Sequence, residues 1–536
     1  MSLPTSPTRA DAVRFLQMAS FGGRPVDVTN VQTNGIPAWI DQQLAAAPSI
    51  PFVDRYIRHR RTDTGSSLQR SVWEAFLTAP DQLRQRVAYA LAQIFVVSDV
   101  DLEQRDVAEF AERIEANCFG TYRNLLEVIT RSRAMGYYLT YHRNQREDLN
   151  RGRFPDENYA REIMQLFSIG LWQLNPDGTP RGGPDMANWI PTYTQDDILG
   201  LSRVFTGFEA RRVDDDSNAA QLRQSMESDG DFAERWHETG EKRFLGVTIP
   251  AQEGRTLDED IAVALDTIAA HPNVPPFISK LLIQRLVKSN PTPGYIRRVA
   301  DRFIATSGDL GEVVRAILID DEAWVVNPGP NYFGKLREPV LRFTTICRGF
   351  NIELDSREAV WPFTSLSDAQ DELGQQPWEA PTVFNFYLPA YVPPQTPLGD
   401  AGLTAPEFQI ANESSAIGWI NFMSRKLREP SRGNANGQRY DRTVLDIADL
   451  ASLMTGPAPT AGNSGSVVDD IAARLCPRGI SPQLRSLVVE RCRTLTHRDY
   501  ENTGNTGARV RPEVDRDRVV LAVMMIAAST DFLHEY

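Results

Sequence analysis

DQLRQRVAYALAQIFVVS, residues 81–98, is the stretch on which the fold reading turns. Leu83, Val87, Ala90, Leu91 and Ile94 recur at helical spacing, with polar residues between them, so it reads as a long amphipathic helix. The same period runs outward in both directions. Upstream, RADAVRFLQMASFG (9–22) stops at Gly22-Gly23, IPAWIDQQLAA (36–46) carries Pro37 near its start, and LQRSVWEAFLTAP (68–80) closes at Pro80. Downstream, residues 106–141 give at least two more helices, and four further helical patterns span 257–271, 275–289, 294–307 and 310–325. The period breaks at 208–255, an acidic segment in which EKRFLGVTIPA (241–251) alternates as a short strand or hairpin. Residues 351–400, rich in proline and aromatics, read as a long ordered loop packed on a core. Helices resume after Ala405, with GPAPTAGNSGS (456–466) and ENTGNTG (501–507) as expected disordered spots. The expectation is an all-α, multi-helix protein with a small β-hairpin insertion. Residues 1–404 would form the main helical domain and 405–536 a C-terminal helical subdomain.

Composition bounds the function. The 536 residues are 41% apolar, enough for a sizeable core, and 57 basic against 70 acidic side chains give a net charge of −13. So negative a chain is a poor match for nucleic-acid phosphates or anionic lipid. No run reaches the roughly 18 apolar residues of a spanning helix; the longest is Val519 to Ala528. The first residues show no apolar leader core, so no secretory signal is expected in this chain.

Four cysteines, Cys118, Cys347, Cys476 and Cys492, include no CxxC pair. Cys476 and Cys492 flank a turn and a short helix, which suits either a disulfide or two buried thiols. GPNYFGK (329–335) has Walker A spacing, but Leu336 replaces the metal-binding hydroxyl and Pro330 removes an amide from the would-be phosphate cradle. GNSGS (462–466) lacks the last glycine of a nucleophile elbow, and no GxGxxG, HExxH or complete EF-hand loop occurs.

Polar chemistry concentrates between Tyr137 and Pro180. Pro155-Asp156 starts a helix with Asp156 as N-cap. Glu157, Asn158, Arg161, Glu162 and Gln165 lie across the helix from Ile163, Leu166 and Phe167. Glu157 is explained by the helix dipole and an ion pair with Arg161 at i+4, or else serves as a cleft carboxylate in acid/base or metal chemistry. Of six histidines, His59 reads as part of a solvated face, and His497 and His534 as structural or exposed. His142, His237 and His271 each lie at an element boundary, where loops converge. If two of them met Glu157 or Glu162, a metal or acid/base site would follow. Thr194 caps another helix with Asp196 and Asp197 in its first turn, and Arg203 there is an anion contact or a surface ion pair.

Several segments together carry a resemblance. DENYAREIMQLFSIGLWQLNPDGTP, YTQDDILGLSRVFTGF, HETGEKRFLGVTIPA, HPNVPPFISKLLIQRLVKSNPTPGYIRRVADRF and APTVFNFYLPAYVPP closely resemble the large bacterial family called domain of unknown function 1800. His237, Gly240, Lys242, Phe244, Leu245 and Gly246 match its HxxGxKxFLG element, His271 and Pro272 the next motif, and Asn385 a late loop motif. The resemblance implies a protein that is exported, to periplasm or exterior, although this chain shows no leader and a cytoplasmic place stays open. It also implies a partner enzyme resembling a sulfatase or phosphatase, and no named reaction.

Two functions fit these residues. One is an enzyme acting on a polymer or glycan, with Glu157, Glu162 and His237 as catalytic groups and Arg161, Asn158, Lys242 and Asn385 as substrate contacts. A divalent metal would be held by His142, His237 and His271. The other is a non-catalytic binding or assembly protein at the cell surface. Convergence of His142, His237, Glu157 and Glu162 in one pocket would favour the enzyme.

Overall fold

The computed structural model describes residues 3–61, 67–325, 334–351, 372–428, 445–455, 459–495 and 510–535. The chain is mainly α-helical with one small hairpin insertion, as the periodicity predicts. One hydrophobic cluster runs without a break from Ala12 to Phe532.

The deciding stretch forms a helix at Gln82–Ala92, and it is more deeply placed than an amphipathic pattern suggests: every residue from Gln82 to Leu91 is buried. Its polar stripe meets main-chain oxygens rather than water. Gln82 Nε2 donates to Ala79 O at 2.8 Å, Arg84 Nη1 to Glu115 O at 3.2 Å and Arg86 Nη2 to Arg285 O at 2.6 Å. Buried long side chains survive only when so paired. His59, expected on a solvated face, is 1% exposed, with Nε2 2.7 Å from Glu74. The helix Phe52–Arg60 turns that side inward together with Arg55 and Tyr56.

The C-terminal helices Ala461–Leu475, Pro482–Thr494 and Val510–Ala527 pack on one another, and the first of them also touches Arg9–Ala19 and Pro339–Gly349. Gln17 Nε2 donates to Leu475 O at 2.9 Å across that contact. A second two-residue pairing, Lys335–Leu336 against His534–Glu535, is antiparallel and had no signature in the sequence. Residues 461–466, expected to be disordered, begin a helix capped by Thr460. Their glycines and serines are tolerated because Ser464, Gly465 and Val467 face the core. Residues 501–507 and most of the Walker-like stretch lie outside the described residues. All four cysteines are free and buried, so Cys476 and Cys492 are two thiols without a bond between them. Among the described residues, no helix is long and apolar enough to cross a membrane.

The hairpin pairs Lys242–Phe244 with Val247–Ile249. Its turn, Leu245-Gly246, has positive φ at both residues, 47° and 79°, the form that matches strand twist. It lies on the helix Gln195–Val204, where Gly200 lets the two backbones touch: a Cβ there would stand 1.6 Å from Arg243 O. Thr194 caps that helix, as expected, Asp197 returns the bond to the Thr194 main chain, and Asp197 Oδ1 also accepts from Leu245 N at 2.7 Å. One acidic residue thus fixes both the helix start and the hairpin turn.

Candidate functional site

The helix Asn158–Gln165 carries most of the sequence candidates. Its N-cap residue is Glu157, one position later than expected, yet Asp156 Oδ1 still accepts from Asn158 N at 2.8 Å. Asn158 Nδ2 donates to Thr140 Oγ1 at 3.4 Å. Glu157 Oε2 accepts from Arg161 Nη2 at 3.0 Å and from Gln195 Nε2 at 2.8 Å, so it ties two helices together. The Glu157–Arg161 pair is the i+4 ion pair of the sequence reading, and both side chains remain about one-third exposed.

Glu162 differs. It belongs to the buried side of the helix with Tyr159, Ala160, Ile163 and Met164, and is 6% exposed. Its Oε2 has no hydrogen-bond partner. Burial raises its pKa above the ordinary carboxylate value, with Arg161 opposing. Tyr193, whose hydroxyl donates to Gln165 Oε1 at 3.2 Å, is pushed up to about 12 by burial and then by the Glu162 charge. A carboxyl that holds its proton beyond the usual range, beside a guanidinium and a phenol, is the arrangement a general acid needs.

The three histidines do not gather. Among the described residues, no three His, Cys, Asp or Glu side chains are grouped as a metal ion would require. His142 lies 4.4 Å from the Tyr137 ring, and burial lowers its basicity. His271 Nδ1 accepts from Asn273 N at 3.2 Å.

His237 is 3% exposed and fully engaged. Its Nδ1 lies 2.9 Å from Thr206 O and its Nε2 3.0 Å from Asp260 Oδ2. Lys242 Nζ, with no exposure, reaches the same Oδ2 at 2.7 Å, while Arg255 bonds Oδ1. Burial alone would raise Asp260, but hydrogen bonds from His237, Lys242 and Arg255 bring it down to about 2. The motif's two basic residues therefore converge on a carboxylate absent from the sequence candidates. A signal existed: Leu257, Asp260, Ile261, Ala264, Leu265 and Ile268 are the buried residues of Leu257–Ala269, so Asp260 falls in an apolar stripe. Arg203 Nη2 donates to Glu147 Oε2 at 2.6 Å, the surface ion-pair alternative.

Asn385 belongs to a second polar centre. Glu338, 1% exposed, accepts at Oε2 from Gln375 Nε2 and Tyr387 OH at 2.7 Å, Gln93 Nε2 at 2.8 Å and Tyr89 OH at 3.4 Å. Burial would raise it; Lys335, Arg86 and these donors bring it below the ordinary value. Asn385, at φ 65°, lines a water-sized cavity of about 20 Å³ with Gln93, and its Nδ2 has no partner. Nearby, Asp99 N donates to Trp378 O at 2.9 Å, and burial together with Glu379 lifts the Asp99 carboxyl to about 7. Sequence reading missed both Glu338 and Asp99.

A family model described as a protein of unknown function (DUF1800) matches residues 14–534. No curated protein and no solved structure matches the chain.

Proposed function

The chain belongs to the DUF1800 family, and from that premise we propose that it is an acid/base enzyme acting on an extended, glycan-like polymer, with Glu162 as its proton-carrying group. The observation that carries the reading is the 6% exposed Glu162 carboxylate with an unpartnered oxygen. Such a group costs stability and persists where its proton is used. In hydrolysis, Glu162 gives its proton to the leaving oxygen. Water supplies hydroxyl to the other fragment, and its remaining proton restores the carboxyl. Arg161, Asn158 and Glu157, half-exposed on the same helix, would supply contacts suited to sugar hydroxyls and to an anionic substituent. His237 and Lys242 act as positioning residues: through Asp260 they hold the hairpin against the helix Leu257–Ala269. A polymer substrate suits an exported protein. No three-histidine metal centre enters this proposal.

The test is turnover of a panel of neutral and carboxylated polysaccharides by the wild type and Glu162→Gln. Wild-type cleavage reduced about 10²- to 10⁴-fold in the variant, with a pH profile limb above the ordinary carboxylate range, is expected. Equal cleavage by both proteins would refute the role of Glu162.

One observation favours a second reading, a non-catalytic assembly protein for a sulfatase- or phosphatase-like partner. His237 and Lys242, the basic residues of the HxxGxKxFLG element, are shut inside the protein. Tight glycan or partner binding with no turnover, unchanged in Glu162→Gln, would decide for it.

A further inference from the structure

A cleft of about 480 Å³ opens where the helices Leu257–Ala269 and Pro293–Ala305 end and Val274–Leu286 begins. Its volume is that of a small-molecule site, typically about 300–1,000 Å³. The walls are apolar and stiff: Pro176, Pro275, Pro276, Tyr122, Phe303 and Ile304. The Tyr122 and Phe303 rings meet edge to face at 5.7 Å. The Tyr122 hydroxyl is committed to Phe167 O, so the phenol presents its ring to the cleft, not its oxygen.

Three polar side chains also line the cleft, and their chemistry selects a ligand. His271 Nδ1 accepts the Asn273 amide hydrogen at 3.2 Å, which places the ring hydrogen on Nε2. Burial disfavours the imidazolium, so this histidine is a neutral donor. Ser307, at φ 54°, lines the cleft, and its hydroxyl has no hydrogen bond among the described residues. Arg123 is bracketed by Asp266 at 2.6 Å and Glu127 at 2.8 Å. Glu127 also pairs with Arg131 at 3.2 Å, so the Arg123 guanidinium is already engaged by two carboxylates and offers no unpaired positive charge to an anionic headgroup. A cation would leave the His271 donor without an acceptor.

We propose that this cleft binds an uncharged, largely apolar small molecule carrying one hydrogen-bond-accepting oxygen, which His271 Nε2–H and the Ser307 hydroxyl receive. The apolar body fills the space between the proline and aromatic walls. The inference is independent of the role given to Glu162.

The test uses the full-length chain with Nile red, a neutral dye with a carbonyl acceptor, followed by fluorescence. Competitors are 1-decanol and decanoate, which share a chain and differ in charge. Two variants obstruct the cleft at solvent-facing positions: Ala270→Trp at the exposed end of Leu257–Ala269, and Ile304→Glu, where the native side chain is 59% exposed. The expected result is saturable one-to-one binding, with displacement by decanol at least about tenfold more effective than by decanoate. Each variant should weaken dye binding about tenfold or more while keeping the wild-type melting profile. His271→Leu should weaken decanol about fivefold, the worth of one hydrogen bond. Non-saturating binding, dye binding untouched by both variants, or equal competition by decanoate would each overturn the proposal. So would dye release as protein concentration rises, which would assign the cleft to a second copy of the chain.

Discussion

Replacing Asp260 by Asn removes the single negative charge on which His237, Lys242 and Arg255 converge, and the consequence can be worked from the geometry. Asp260 and Lys242 have no solvent exposure and His237 has 3%. The variant leaves buried cations without a counter-charge, a change worth about 3–5 kcal/mol. The pH dependence gives an independent figure. Asp260 is lowered from 3.8 to about 2 on folding, equivalent to about 2 kcal/mol at 1.36 kcal/mol per tenfold. Because its folded pKa is depressed, that stabilisation is fully present above about pH 4 and is lost as pH falls toward 2. Urea midpoints of wild type and Asp260→Asn should therefore differ strongly at pH 7 and approach each other below pH 4. Hydrogen exchange at the hairpin amides 242–244 should accelerate in the variant at pH 7, since Lys242 anchors that strand. Equal midpoints at pH 7, or a gap that stays constant down to pH 2.5, would refute the reading of Asp260 as the hub.

Glu162→Leu removes a buried carboxylate with no partner for one oxygen, so it should raise stability by about 1–2 kcal/mol. Burial raises the Glu162 value on folding, so the gain should appear as pH rises through the ordinary carboxylate range, which thermal melts between pH 4 and 8 would show. Asp99, lifted to about 7, is destabilising as pH rises above its unfolded value; Asp99→Asn should match wild type below about pH 3.5 and melt progressively higher as pH rises toward 8. Gly200→Val places side-chain atoms on Arg243 O, and limited proteolysis should then cut within 241–251 first.

Local signals carried far in this chain. Thr194 was legible as a cap with Asp196 and Asp197 in the first turn, because those residues are neighbours in sequence, and 241–251 as a strand or hairpin because its residues alternate. Glu157 and Arg161 were legible as a pair for the same reason. Glu338 was not: its donor Gln93 lies 245 residues away and Tyr387 lies 49 away, and no window of sequence holds them together. Asp260 was half-legible. Its place in an apolar stripe marked it as buried, but its partners Lys242 and Arg255 come from a hairpin and a loop whose docking depends on Gly200. The polar stripe of Gln82–Ala92 misled for a related reason, since periodicity reports that a face is polar, not whether water or carbonyl oxygens cover it.

The pairing of Lys335–Leu336 with His534–Glu535 has a consequence in time. Arg337 Nε donates to Glu535 Oε1 at 3.1 Å, across 198 residues of chain. At a synthesis rate of roughly 5–20 residues per second, a ribosome takes about 10–40 s to travel between them. Throughout that interval Lys335 and Arg337, both buried in the finished protein, wait without this carboxylate. The earlier helices can collapse while the chain is still growing, but this part of the interior closes last. A nascent chain so held open keeps a window in which chaperones can engage it.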